Sequence, residues 1–349
     1  MDTEGNLVSS TRDVEADRLA RVKLSCTIEP GDPRVTGLIS ELGATKIVGY
    51  LEAAAALDAH WAFPLGHELA QIDPGRVLEQ AAARGIRFLA PGDAEWPGQL
   101  GALRDAGTVG DRGGEPVGLW VRGEGDLRQV ASAAVAVVGS RAATSYGMEQ
   151  ASSLARDLAS MGQTIISGAA YGIDQAAHRG ALTAGGPTIA VLPSGADRAY
   201  PTAHAQLLDT IARGGLIVSE GPPGTAPTRS RLLARNRIVA GLAAGTVVVE
   251  GAVRSGALNM ARWATNLHRP VMGLPGPVSS AASLGVHQLI RLGEATMVTN
   301  AQEILNDLTS HPAMARSAHV DESHLPKPVR HTTAPAGPSA GARRSTRGR

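Results

Sequence analysis

The stretch AVAVVGSR, Ala134–Arg141, followed by TIISGAAYGIDQAAHRGAL, Thr164–Leu182, decides the fold. Ala134 to Val138 is an unbroken apolar run, too short for a helix and closed by Gly139. Such runs are strands covered on both faces. A helical stretch from Gly147 to Met161 separates it from Thr164 to Ser167, another short apolar run that ends at a glycine. Working outward, the alternation continues. Further strands are predicted at Pro187–Leu192, Leu216–Ser219, Thr246–Glu250, Pro270–Leu274 and Ala295–Val298, with helices at Ile173–Leu182, His204–Ala212, Arg231–Leu242, Leu258–Leu267 and Val286–Leu292. Strand–helix alternation at this spacing predicts right-handed βαβ units and a mainly parallel sheet, an extended Rossmann-like α/β fold.

Upstream, the pattern is different. Residues 1–32 carry mixed charge with no clear apolar periodicity after Val8 and are expected to be a partly disordered lead-in. Residues 33–112 read as a small helical domain. Leu38, Ile39 and Leu42 sit at helical spacing, Leu51–Leu57 is Ala-rich, and Asp73-Pro74 is an N-cap followed by a helix start. The Gly-rich stretch Thr108–Glu115 is expected to be a linker, and Val117–Val121 a strand leading into a core over 113–308. Residues 309–349 end in a Pro/Ala/Arg-rich segment too poor in apolar residues to fold, expected to be a disordered basic tail without a winged helix. Its Arg343, Arg344, Arg347 and Arg349 would either add phosphate affinity or only aid solubility.

The chain has 349 residues, 43% of them hydrophobic, and a net charge of +1. Bulk charge therefore does not mark a nucleic-acid binder, but its distribution does. Ala134–Asn300 holds 13 Arg against eight acids. Lys occurs only at positions 23, 46 and 327; Arg forks onto phosphates and stacks on bases, while the codon bias of a GC-rich genome gives the same composition together with the many Ala and Gly. One cysteine, Cys26, excludes an intrachain disulfide and a Cys-cluster metal site. With no secretory leader and no long apolar run, the chain is expected to be cytoplasmic, with no membrane partner.

In doubly wound sheets ligands bind outside the C-terminal ends of the strands. The first strand ends in Gly139-Ser140-Arg141, a turn that lets backbone approach a phosphate at a helix N-terminus. The second ends in Ser167-Gly168, with Tyr171, Asp174 and His178 following; His178 either faces a ligand or bonds within the core. The fourth is followed by Arg229, Arg231, Arg235 and Arg237, with Asn236 among them and no acid between. Such a run is either a solvated helix face or a phosphate site, and its place beside the ligand edge favours the latter. The fifth leads to Arg254-Ser255-Gly256, another candidate phosphate turn. No G-x-x-x-x-G-K-[ST] loop and no G-x-G-x-x-G fingerprint is present, and no His/Asp set suggests a metal, so no cofactor is expected.

These residues resemble the DNA-processing protein A family (DprA, also called Smf). The resemblance runs from about Val135 to Leu305. It is carried by Val138-Gly139-Ser140-Arg141, by Ser167-Gly168 through Gly172-Ile173-Asp174 with Ala177-His178-Arg179-Gly180, by Pro222-Pro223-Gly224-Thr225 with Arg235-Asn236-Arg237-Ile238-Val239-Ala240-Gly241, and by Arg254-Ser255-Gly256-Ala257 with Leu274-Pro275-Gly276. Trp96-Pro97 and Leu119–Gly123 are similar to the family's lead-in. The resemblance implies a non-enzymatic protein that binds single-stranded DNA without sequence specificity, forms a homodimer, and loads the RecA recombinase in natural transformation or recombinational repair. It also implies a SAM-like N-terminal domain. Departures are visible. Tyr171 replaces the family's Arg, Leu232-Leu233 replaces a Phe-Pro pair, and His287 replaces an Asn. Losing an aromatic at 232 removes a stacking platform, of which Tyr171 could restore part.

Two other readings compete. Rossmann-type hydrolases that release a base from nucleoside monophosphates use a Pro-Gly-Gly-x-Gly-Thr loop and a catalytic Glu; Pro222-Pro223-Gly224-Thr225 matches it only superficially, and Leu274-Pro275-Gly276-Pro277 lacks the Thr. A pure interaction adaptor is the third.

Overall fold

The structure, a computed structural model, describes residues 3–56, 63–253 and 255–311. The basic tail expected over 309–349 therefore lies, from residue 312 onward, outside the described residues.

The chain opens with five helices: α1 (Thr3–Thr27), α2 (Pro33–Leu42), α3 (Ala44–Ala56), α4 (Phe63–Gln71) and α5 (Pro74–Ala82). Asp32 and Asp73 cap α2 and α5, each with a Pro in the first turn. The lead-in is not the partly ordered segment expected: residues 3–27 form one helix, and Ala20, Val22 and Leu24 on it are buried. Leu24, Ile39, Ile47, Val48 and Leu69 make a small core of their own with Val117. The helix escapes a sequence reading because, among its described side chains, the buried apolar ones are confined to Ala20–Leu24.

The strands β1 (Ile86–Leu89), β4 (Leu119–Arg122), β5 (Ala134–Val138), β6 (Thr164–Ser167), β7 (Thr188–Leu192), β8 (Leu216–Ser219), β9 (Gly245–Val248), β10 (Val271–Gly273) and β11 (Thr296–Met297) form one sheet; β2 (Thr108–Val109) and β3 (Arg112–Gly113) form a separate short hairpin. The sheet order is β1-β4-β8-β7-β6-β5-β9-β10-β11, parallel from β8 to β11 and antiparallel where β4 meets β8 and β1 meets β4. Every internal strand of the expected core is present. Two boundaries move. Ile86–Leu89 belongs to the main sheet, so the α/β unit begins well before residue 113, and the expected linker at Thr108–Glu115 holds the β2–β3 hairpin.

Between the strands lie α6 (Leu127–Val130), α7 (Ser145–Ser160), α8 (Ile173–Thr183), α9 (Ala205–Gly214), α10 (Arg229–Leu242), α11 (Gly256–Asn266), α12 (Leu284–Arg291) and α13 (Ala301–Ser310). Alternation along the strands builds two cores. Val135 and Val137 pack with α7, α8 and α13, whereas Ala134, Ala136 and Val138 pack with α10, α11 and α12. Since side chains alternate across a pleated strand, a five-residue apolar run is what a doubly covered strand requires.

The connectivity reverses between β5 and β9, adjacent strands whose helices leave toward opposite sides of the sheet. That is the switch point where an open α/β sheet leaves a crevice at the strand ends.

Candidate nucleic-acid interface

A cleft of about 640 Å³ lies at this switch point. The turn after β5 supplies Gly139, Ser140, Arg141 and Ala142; the β6 end supplies Ala170 and Asp174; Tyr200 comes from the loop after β7. The N-terminal turns of α10 and α11 close the remaining sides with Thr228, Arg229, Leu232, Arg235, Asn236, Ser255, Gly256 and Met260. Two helix N-termini thus meet one crevice, and both contribute positive dipole ends. Thr228 accepts a hydrogen bond from the Arg231 amide and so sets where α10 begins.

The β5 turn is shaped from beneath by Glu250, a fully buried carboxylate just past β9. It accepts from the Thr144 amide (2.9 Å) and from the Thr144 hydroxyl, while its carbonyl accepts from the Ser140 amide (2.8 Å). Thr144 in turn caps α7. One carboxylate therefore fixes the turn that presents Ser140 and Arg141.

The floor is made by Arg235. The residue is 4% exposed, and its guanidinium donates from Nη1 to the Val191 carbonyl and leaves Nε without a partner. It crosses so close to Gly168 that a Cβ there would stand 1.3 Å from Nη1, so glycine is required by the arginine's path. Gly172, at φ +76°, is likewise obligatory: a Cβ would meet the Ser140 carbonyl at 2.2 Å. Beside Arg235 lies Asp174, 2% exposed, accepting from the Ala170 amide, with Oδ1 unpartnered. Burial pushes the Asp174 carboxyl up against the opposing pull of Arg235, and pushes the Arg235 guanidinium down. Among the described residues no carboxylate forms an ion pair with Arg141, Arg229 or Arg235. Arg141 and Arg229 are both exposed.

Of the fifteen residues expected to bind, Gly139, Ser140, Arg141, Arg229, Arg235, Asn236, Ser255 and Gly256 share this cleft. Others do not. His178 is fully buried, with Nδ1 2.8 Å from the Thr188 hydroxyl; burial drives it down to about 3, so it is neutral and unable to meet a ligand. Ser167 is buried and donates to the Val137 carbonyl, tying β6 to β5, and Gly168 lies behind Arg235. Arg237 is fully buried in a bidentate pair with Glu220 (2.6 and 2.7 Å), and its Nε donates to the Gly114 carbonyl. Arg231 pairs with Glu29 at 2.7 Å. Tyr171, next in sequence to the cleft-lining Ala170, is 47% exposed and edge-on to the His204 ring with centroids 4.8 Å apart. Arg254 lies outside the described residues. The sequence reading passed over Tyr200, although the strand-end rule covers the loop after β7, and passed over Glu250 as the organiser of the β5 turn. Among the described residues no cluster of His, Cys, Asp and Glu could hold a metal, and no helix is long and apolar enough to cross a membrane.

A protein of Mycobacterium tuberculosis that carries the name DNA processing protein DprA is 44% identical over 292 residues, 81% of this chain and 72% of that one. The Protein Smf of Escherichia coli is 42% identical over 222 residues, 63% of this chain and 56% of its own length. The X-ray structure of DNA processing protein A from Streptococcus pneumoniae superposes with a TM-score of 0.68 at 30% identity, covering 84% of this chain and 97% of that one. A structure of the Helicobacter pylori protein, described for its single-stranded DNA binding mode, gives 0.54 at 30% identity over 64% of this chain and 95% of that one. Residues 87–309, from within β1 to the last turns of α13, match the DNA recombination-mediator protein A family, to which this chain belongs.

Proposed function

We propose that this protein binds single-stranded DNA without sequence specificity in the switch-point cleft, as a non-catalytic mediator that delivers the strand to a RecA-type recombinase in transformation or recombinational repair. In this reading it works in the cytoplasm as a homodimer. Arg235 carries the reading: a cation buried on the cleft floor, short of hydrogen-bond partners, whose nearest carboxyl, the buried Asp174, pulls on it without forming a salt bridge. Burying a charge is costly unless a counter-charge meets it, and a phosphate in the cleft supplies that partner. Arg141 and Arg229 stand at the mouth, uncommitted, where further phosphates would pass. Backbone turns and arginines dominate the cleft, and its one amide side chain, Asn236, already donates to Asn259, which fits sequence-independent binding. The Helicobacter pylori relative, described for binding single strands, supports the ligand class.

The test is fluorescence anisotropy with a labelled single-stranded oligonucleotide across a salt series, comparing wild type with Arg141→Ala and Arg235→Ala. Tight binding at low salt, weakened by both substitutions, is expected. Absence of wild-type binding at low salt overturns the proposal. Release of free base from nucleoside monophosphates would replace it with a hydrolase.

A further inference from the structure

Beyond the cleft, a second depression of about 520 Å³ runs between α8 and α9, lined by Arg179, Leu182 and Thr183 from α8 and by Gln206, Leu207 and Thr210 from α9. No acid lines it. Arg179 is exposed, and Arg213 donates to the hydroxyl of the lining Thr210. Among the described residues neither arginine is in an ion pair, although the nearby Asp209 is held by Arg122 at 2.7 Å. The nearest acid on α9 is thus already neutralised, and the groove keeps a net positive wall.

Two aromatic rings link residues of the groove to residues of the cleft. Ala170 lines the cleft and Ala203 lines the groove; Tyr171 directly follows the first, His204 directly follows the second, and their two rings meet with centroids 4.8 Å apart. His204 is buried and fixed by a 2.9 Å hydrogen bond between Nδ1 and the Ala169 carbonyl; Tyr171 rests edge-on against it. An exposed ring held by a buried neighbour loses little freedom when a base stacks on it, and every base offers a face. Tyr171 stands just before α8, and Arg179 lies on that helix six residues after its first residue Ile173, roughly 9 Å along the axis at about 1.5 Å per residue.

We propose that a single strand leaving the cleft crosses Tyr171, stacks a base on it, and continues in the α8–α9 groove with a phosphate on Arg179. This rests on the single-strand reading of the cleft and gives the strand a direction and a second subsite. It also assigns the work of the aromatic missing at Leu232 to another edge of the cleft. Positive walls suit a polyanion, and the link to the cleft through the two aromatic rings favours the DNA already bound there over a separate partner.

The test uses the full chain and fluorescence-labelled oligo-dT of increasing length, with an abasic strand of matched length. Arg179→Ala should lower the log–log salt slope by about 0.7 on long strands and leave it unchanged on the shortest strand that still binds. Tyr171→Ala should weaken oligo-dT by about fivefold to a hundredfold, leave the abasic strand unaffected, and be rescued by Tyr171→Phe. Circular dichroism checks that each variant is folded. If Arg141→Ala loses binding while Arg179→Ala leaves the slope unchanged at every length, the groove is refuted and the cleft stands. If Tyr171→Ala weakens both strands equally, the stacking step is refuted. If the wild type fails to bind at low salt, the cleft reading falls and the groove with it.

Discussion

At the scale of single residues, four positions that look interchangeable in sequence divide sharply in space. Arg229, Arg231, Arg235 and Arg237 fall within nine residues, and all four invite a phosphate. Arg229 is exposed at the cleft, Arg235 is its floor, Arg231 is held by Glu29, and Arg237 is buried against Glu220. The sequence could not separate them, because the partners lie far along the chain and burial on a helix covered on all sides leaves no periodic mark. The consequence is measurable. Removing one member of a buried ion pair leaves an uncompensated charge, so Glu220→Gln and Arg237→Met are each expected to cost about 3–5 kcal/mol in denaturant unfolding, and the double variant less than their sum. His178 makes a pH prediction. Its folded value, about 3, lies below the unfolded 6.5, so the unfolded chain binds the extra proton in that window. The contribution of His178 to stability is complete above about pH 6.5 and is lost as pH falls toward 3, at up to about 1.4 kcal/mol per pH unit. Unfolding midpoints followed from neutral pH to mild acid should fall less steeply for His178→Gln than for wild type, whatever the absolute cost of the substitution.

At the scale of elements, α10 decides the shape of the cleft, and both of its ends are secured from outside. Thr228 caps the N-terminus with its side chain. At the other end the Arg269 guanidinium, from the loop before β10, donates to the carbonyls of Ala240, Gly241 and Ala243, and also to Gln99. These are the carbonyls that a helix leaves without internal partners, and a cation is favoured there by the dipole. Burial lowers Arg269 to about 10, so it keeps its charge at neutral pH. Arg269→Met should therefore leave buried carbonyls unsatisfied and lower unfolding stability by about 2 kcal/mol, read as a shift in the urea midpoint with the slope unchanged. Near the N-terminal end, α10 is tethered to the loop between α1 and α2 by Arg231–Glu29, and at mid-helix Arg237 donates to the Gly114 carbonyl beside the β2–β3 hairpin. The internal strands and their helices were legible because a doubly covered strand must be apolar throughout. Strand β1 was not: Ile86-Arg87-Phe88-Leu89 is short, sits among helices, and pairs with β4 more than thirty residues later. Helix α1 escaped for the converse reason, since among its described side chains the buried ones are few and lie near its end.

For the whole molecule, the charge totals and the cleft point in different directions, and the salt dependence of binding distinguishes them. A net charge of +1 provides little long-range attraction for a polyanion, so affinity has to come from contacts inside the site. On a strand confined to the cleft, Arg141, Arg229 and Arg235 are the cations placed to meet phosphates. Each phosphate neutralised on a single strand contributes about 0.7 to the log–log slope, so a slope near −2 is expected, shallow for a protein with 30 arginines. Arg231 offers a direct check on that count. Its partner Glu29 is half exposed, and a partly solvated pair of this kind contributes under about 1 kcal/mol, so its loss should leave the fold intact. Glu29→Gln should free Arg231 for a phosphate, steepen the slope by up to about 0.7, and raise affinity at low salt while leaving it almost unchanged at high salt. An unchanged slope would mean that the strand does not reach the side of α10 facing the helical region. A slope far steeper than −2 in the wild type on a short strand would show that arginines outside the cleft share the load.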